Sequence, residues 1–302
     1  MTERLIWFGQ LASKRALTMR GLMMVAGGVL WLLVFLALPT LVLIAVAFTE
    51  RGPYGQIQWS FTFDNFWRLL GWGSFGWSAE TLRILVRSVM VAGVATIICV
   101  ALSYPLAFFI AARPSRSRYV WLTLIIIPFC TNLVVRTYAW MLLLSAQFPL
   151  ARLAQWIGLL EPGEALYPSQ GAVYVGMITT LLPFTVLPIY TNVERLDWSI
   201  VEAATDLYAS KTRVFFHAIL PQTLAGLTVA VVLTFIPAMA MFVVPNLLGG
   251  AKYMLAGDLI QQQFNQSRDY PFGAALSLGL ILLTLIGLYL WRRSGSKTGE
   301  VL

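Results

Sequence analysis

The sequence predicts an all-α, polytopic membrane protein with six transmembrane helices and both termini on the cytoplasmic side. Three observations carry this. Of 302 residues, 59% are hydrophobic and only 11% are charged, where a soluble domain carries about 25% charged residues. Six apolar runs are long enough for a bilayer, which takes roughly 20 residues of helix. Basic residues also gather in alternate loops, the asymmetry that sets orientation in a membrane.

The runs lie at about 21–49, 88–112, 119–145, 171–193, 221–250 and 271–291, within a single domain over 1–302. The first is too long for the apolar core of a signal peptide and no convincing cleavage site follows it, so it reads as a helix. Next comes "WSFTFDNFWRLLGWGSFGW" (Trp59–Trp77), whose aromatics suit an outer headgroup belt; a ligand-binding role is the alternative. The third run is interrupted by Arg136, and an ionisable group at that depth is costly unless it faces protein, water or the interface. Two readings stand for it: snorkelling to the interface, or a place with Asn132, Tyr138 and Trp140 at the outer mouth of a translocation path. In the fourth run Pro183 and Pro188 free backbone carbonyls, which neighbouring helices or a cavity must satisfy.

Charge assigns the sides. Arg4, Lys14, Arg15 and Arg20, then Arg113, Arg116 and Arg118, then Arg195, Lys211 and Arg213, and finally Arg292, Arg293 and Lys297 all fall on one side if the helices alternate. The other side carries fewer bases and most of the acids: Glu50, Asp64, Glu80, Glu161, Glu164, Asp258 and Asp269. The net charge of +8 therefore speaks for membrane orientation rather than nucleic acid. Cys99 and Cys130 sit in apolar runs and read as small core residues rather than a disulfide. His217 is the only histidine, so no metal site is expected, and no cofactor. An intramembrane enzyme needs a serine–histidine, paired-aspartate or metal constellation, which the helices lack, so no catalytic residue is assigned.

The loop at 194–220 breaks the apolar pattern. Ser199 and Glu202 have the spacing of a capping box, with Asp197 as a rival cap. Ile200, Ala203, Ala204 and Leu207 then share one helix face by their i, i+3, i+4, i+7 spacing. Ser210 offers a second cap, Val214, Phe215, Ala218 and Ile219 form a second apolar face, and Pro221 stops that helix or opens the next span. The loop thus predicts two short amphipathic helices at the inner face. They either lie on lipid or dock a partner. Acids and small residues on the first helix argue against lipid, which favours bases and bulk.

"EAATDLYASKTRVFFHAILP" resembles the EAA loop of the permease subunits of bacterial ABC importers. The matching residues are Glu202, Ala203, Ala204, Asp206, Leu207, Leu220 and Pro221. The family's glycine, four residues after the second alanine, is here Tyr208, and a tyrosine there meets a steric penalty in a tight left-handed turn. Either the turn is looser or the ring fills part of the docking groove. The resemblance implies that this loop docks in a groove of a cytoplasmic ATPase dimer and couples its motion to the helices. No G-x-x-x-x-G-K-[ST] phosphate loop occurs in the chain, so the chain itself is no ATPase and its motor acts in trans.

The likeness covers about nine-tenths of the chain. "FTFDNFWRLL", "IIPFCTNLVVRTYAW", "LLPFTVLPIYTNVERLD" and "VVPNLLGGAKYMLAGDLIQQQFNQSRDYPFGAA" resemble, in order, stretches of the spermidine/putrescine permeases. This implies a type I importer permease fold in the bacterial inner membrane and half of a translocation path for a polyamine. It also implies a second permease, in a heterodimer, and an extracytoplasmic binding protein that delivers the solute. A polycation needs carboxylates, carbonyls and aromatic faces along its path. The branch often has an acid where this chain has Asn246, and Asp258 is the nearest remaining one. Another solute (an opine, an amino-acid derivative, a metal chelate) is the alternative. An ion-coupled secondary transporter, with ionisable groups in mid-helix and inverted repeats, is the more distant one.

Overall fold

The computed structural model describes residues 25–73, 76–250 and 253–296, with side chains as far as 289. Residues 21–24 of the first expected helix, the bases Arg4, Lys14, Arg15, Arg20 and Lys297, and the side chains of Arg292 and Arg293 lie outside the described residues. The described chain is helical apart from two short hairpins. Five of its helices are long and apolar enough to cross a membrane, or six if one bent pair counts as a span.

In chain order, α1 (Val25–Ala47) is followed by hairpin β1 (Glu50–Arg51) and β2 (Ile57–Gln58), helix α2 (Asp64–Leu69), and hairpin β3 (Trp72–Gly73) and β4 (Gly76–Trp77). Helices α3 (Glu80–Ala111), α4 (Ser115–Cys130), α5 (Leu133–Leu143), α6 (Pro149–Trp156) and α7 (Gln170–Glu194) come next. The last five are α8 (Trp198–Asp206), α9 (Lys211–Ala240), α10 (Val243–Gly249), α11 (Ala256–Asn265) and α12 (Tyr270–Ser296).

Helices α3, α7 and α9 pack on one another and form the centre. Their sequences show why. On α3 the buried stripe is Ser88, Ala92, Ala95, Cys99, Ser103 and Ala107; on α9 it is Thr223, Gly226, Ala230, Thr234 and Ala238. Small residues every third or fourth position let backbones approach closely where lipid offers no hydrophobic drive for association. At Gly226 the approach leaves no room: a Cβ there would lie 2.6 Å from the Pro188 carbonyl oxygen of α7. Hydroxyls stitch the same seams, Thr185 to Thr234 at 2.8 Å and Tyr104 to Thr223 at 3.0 Å. The outer helices differ. Only the end of α1 packs, through Leu43, Val46 and Ala47 against Ala274, Ala275 and Leu278 of α12, and α4 buries no residue at all.

Three boundaries depart from the expected ones. The run 119–145 is two helices bent by 95°, because Pro128 removes a donor, Thr131 turns extended and Asn132 caps a new helix with its own side chain. The run 221–250 is entered from Lys211 without a stop and ends at Ala240, where Met241 is extended and α10 begins. Pro221 neither stops nor starts the helix; a π turn at Phe215–Ile219 precedes it, with the Leu220 N–H bonding to the Phe215 carbonyl. The wider turn accommodates a ring that clashes with the carbonyl four residues back in a regular helix. Finally, α3 begins at Glu80 rather than Ser88. Cys99 is buried, whereas Cys130 is exposed at the end of α4 and so is not a core residue. Its helix packs too lightly to cover it.

Candidate functional site

The 194–220 loop folds as α8, a tight turn and the first turns of α9. Asp197, not Ser199, is the N-cap: its Oδ1 accepts from the Ser199 N–H at 3.0 Å and from the Ser199 hydroxyl at 2.7 Å. A carboxylate at a helix start also meets the positive end of the helix dipole, so the rival cap wins over the serine. Gln222 of α9 reaches back, its Oε1 accepting from the Asp197 N–H at 3.0 Å. Trp198 sets its ring edge-on to Phe108 of α3. Ser210 caps α9 through the Arg213 N–H at 3.4 Å.

Between α8 and α9 opens a cleft of about 500 Å³. Ile200, Ala203, Ala204 and Leu207 line one wall and Val214, His217 and Ala218 the other. The four-residue stripe on α8 thus shares one surface. Glu202 and Asp206 are exposed and do not line the cleft. Leu220 packs instead into the cluster around Ile189 and Tyr190, and Pro221 is exposed.

Tyr208 sits at the end of α8 with φ 56°, the left-handed conformation. Its N–H donates to the Thr205 carbonyl at 2.9 Å and the Ala209 N–H to the Ala204 carbonyl at 3.2 Å. Together these bonds form a Schellman closure, where glycine is the usual residue. The turn is therefore not loosened. It keeps the glycine geometry with a tyrosine in it, at a steric cost of roughly 1–2 kcal/mol, and the side chain is 98% exposed.

At the hairpin-bearing side the sequence-predicted path residues fall into two groups. Asn132 caps α5, accepting from the Val134 N–H at 2.8 Å, and Arg136 turns back across the bend to donate to the Pro128 carbonyl at 2.6 Å. Trp140, one turn on, packs into the main core, while Tyr138 is exposed. Asn246 is exposed on α10, which packs against α5 and α7.

Asp258 is buried in the first turn of α11, its Oδ2 accepting from the Leu255 N–H at 3.1 Å and its Oδ1 without a partner among the described residues. Burial pushes its carboxyl up to about 6, with the Leu255 N–H and the Asn246 amide pulling the other way. Asn246 and Asp258 are thus neighbours; Asn132 and Arg136 form a separate cluster at the bend.

Sequence reasoning missed the framework that holds this side. Arg68 of α2 pairs with Asp269 at 2.9 Å and lies over the Phe272 ring at 4.1 Å. Asp269 Oδ1 accepts from the Phe272 N–H at 3.2 Å. Asn65 donates to the carbonyls of Ala47 and Thr49, satisfying the end of α1, and the Ser88 hydroxyl accepts from the Ala256 N–H at 2.7 Å. A signal existed: Arg68 and Asp269 both stand in quoted family-like stretches to which composition assigned no role.

Comparison with known proteins bears on both regions. Residues 103–294 match the family of binding-protein-dependent transport system inner membrane components. The spermidine/putrescine transport system permease protein PotB of Escherichia coli is 38% identical over 265 residues, covering 87% of this chain and 94% of that protein. PotB of Haemophilus influenzae is 34% identical over 264 residues, covering 87% and 90%. The crystal structure of a bacterial ABC transporter that imports the acidic polysaccharide alginate superposes with a TM-score of 0.71 over 95% of this chain and 97% of that one, at 18% identity, a likeness of fold.

Proposed function

The chain belongs to the family of binding-protein-dependent transport system inner membrane components, and on that premise we propose that it forms half of the translocation path of a polyamine importer. It is the permease of an ABC importer in the inner membrane; ATP is hydrolysed by a separate subunit, and a binding protein delivers the solute. Spermidine or putrescine is the solute we assign, and the similarity to the PotB proteins across 87% of the chain is the observation that carries this assignment. The sister permease is a different chain, so that two unlike halves enclose one path, and 1–302 acts as a single transmembrane domain.

The 194–220 loop faces the cytoplasm and is the coupling element. Its α8 offers two exposed carboxylates, Glu202 and Asp206, beside the apolar cleft formed with α9. Closure of the ATPase dimer moves α8, and because α9 runs unbroken from the loop into the span, the push reaches the central three-helix packing directly. On the outer side, Asp258 and Asn246 receive an ammonium group. An ionised carboxylate with one unpartnered oxygen in a dry setting gains most from a cation, and the Asn246 amide supplies a neutral acceptor beside it. Arg136, Asn132, Tyr138 and Trp140 border the mouth, with Arg136 held at the bend by the Pro128 carbonyl.

Two measurements test this. The partner binding protein, screened by thermal shift, responds to putrescine or spermidine; if it answers only to opines, amino-acid derivatives or metal chelates, the polyamine assignment falls and the permease stands. Glu202→Arg lowers co-purification of the ATPase at least tenfold; equal recovery with both permeases removes the docking assignment.

A further inference from the structure

Helix α2 is tied down on one side and open on the other. Asn65 donates to the Ala47 and Thr49 carbonyls at 3.0 and 2.8 Å, Arg68 pairs with Asp269, and Leu69 packs with Leu259, Phe272 and Leu276. Asp64 and Trp67, three residues apart and both exposed, are neighbours on the helix surface. The following turn brings up Trp72. Gly71 takes φ 96°, a conformation that glycine enters without a steric penalty, and a Cβ there would collide with the Ser78 carbonyl oxygen. Asp64, Trp67, Arg68, Trp72 and Gly73 together line a cleft of about 470 Å³.

One carboxylate and two indole rings in this cleft have no partner in the chain. Among the described residues Asp64 forms no ion pair and its carboxylate accepts no hydrogen bond. The rings of Trp67 and Trp72 are exposed, and among the described residues neither has a cation over it. Arg68 brings a positive charge to the wall, but its guanidinium is already satisfied, by Asp269 at 2.9 Å and by the Phe272 ring at 4.1 Å. Asp64, Arg68 and Asp269 therefore leave one net negative charge. An anion meets repulsion there, and an acyl chain gains nothing from the carboxylate. A carboxylate beside tryptophan rings suits an organic ammonium: the oxygens accept its N–H groups and the ring faces attract its charge.

We infer that this cleft is an outer receiving site for a primary ammonium group, one end of the solute held at the surface before it moves inward. Leu69, on the same short helix, packs with Leu259, the residue after Asp258, so α2 joins the receiving site to the buried acid. An exposed carboxylate holds a cation only weakly, which suits a site that must release its solute. The choice of a polyamine as the bearer of the ammonium rests on the function proposed above; the preference of the cleft for an organic ammonium rests on Asp64, Trp67 and Trp72.

The test is equilibrium binding of radiolabelled spermidine to the full importer complex without its binding protein, in a neutral maltoside detergent. Asp64→Asn weakens one saturable site about fivefold, whereas Asp64→Glu keeps it within about twofold of wild type. Trp67→Leu and Trp72→Leu each weaken it about threefold. The three side chains are exposed, so each variant melts as wild type does and lost binding is not a folding defect. Glu50→Gln removes an exposed carboxylate outside the cleft and leaves the site unchanged. Equal binding by wild type and Asp64→Asn, or an equal loss on Glu50→Gln, overturns the site. A cleft that takes up a dispersed ethanolamine phospholipid but no spermidine belongs to a lipid headgroup, and the receiving role is overturned. The polyamine assignment is separable. If the binding protein answers to no polyamine while spermidine binding still depends on Asp64, that assignment falls and the ammonium site stands. If the binding protein responds to spermidine while Asp64→Asn binds as wild type does, the site falls and the assignment stands.

Discussion

On the outer side several polar groups of this permease find partners within the chain, although Arg136 Nε and one Asp258 oxygen do not among the described residues. Arg68 meets Asp269, Asn65 closes α1, Ser88 receives the Ala256 N–H, and these bonds join segments far apart in sequence, Arg68 and Asp269 by 201 residues. In the 194–220 loop most bonds are local, the Arg118–Glu194 pair apart, the carboxylates of Glu202 and Asp206 face solvent, the cleft is open, and the most exposed aromatic among the described residues sits on a left-handed backbone. One side is cross-tied within the subunit; the other leaves its acids and an apolar cleft open. Substitutions on the outer side should therefore act mainly on stability, and those in the loop mainly on assembly.

The largest effect expected is from Arg68→Ala. It leaves the Asp269 carboxylate, 2% exposed, without its cation, and removing one partner of a buried pair costs about 3–5 kcal/mol. The half-open position of Arg68 puts the loss near the lower end of that range. Arg118→Ala, at the Arg118–Glu194 pair whose side chains are 29% and 43% exposed, should lose less than about 1 kcal/mol. Thermal unfolding of the two variants in detergent gives the contrast. Similar losses would mean that the outer framework is no more buried, energetically, than a surface pair.

Asp258 comes next. Its carboxyl stands at about 6 in the folded protein against an ordinary 3.8, so the folded state holds this proton more tightly than the unfolded chain. The stability contributed by the protonated form is full below the ordinary value and is lost as pH rises through about 6. Asp258→Asn should abolish that slope and raise stability at neutral pH by about 3 kcal/mol, while cutting spermidine uptake by reconstituted vesicles at least tenfold. A stability gain with undiminished uptake would place the cation elsewhere in the path. Ser88→Ala should cost about 1–2 kcal/mol, since it leaves the buried Ala256 N–H unsatisfied.

How much of this was legible in the sequence follows from the range of each interaction. Spans were legible because a bilayer demands a long apolar helix whatever it packs against, and Ile200, Ala203, Ala204 and Leu207 declared a common face by spacing alone. The break at Thr131 was not legible from hydropathy, since Ile127 to Val135 remain largely apolar through it; Pro128 followed by Thr131 and Asn132 was the available sign. The cap of α8 was ambiguous because Asp197 and Ser199 both precede the helix, and only the backbone angles choose between them. Pro221 read as a boundary because no sequence rule announces a π turn. Arg68 and Asp269 could not be paired at all, as nothing local to either residue points to the other.

The smallest effect expected is at Tyr208, where the loop's own backbone can be tested. Tyr208→Gly removes roughly 1–2 kcal/mol of left-handed strain, but glycine gives the unfolded chain more freedom, which takes back roughly 0.5–1 kcal/mol. The variant subunit should thus be more stable by about 0.5–1 kcal/mol, a rise of about 1–3 °C in Tm for a chain of this size, read on the isolated permease pair without its ATPase. A loop shaped for its own stability would carry glycine and lose nothing by the change. If the variant melts lower than wild type, the ring is supported within the subunit after all, and the contrast between the cross-tied outer side and the open loop fails at Tyr208.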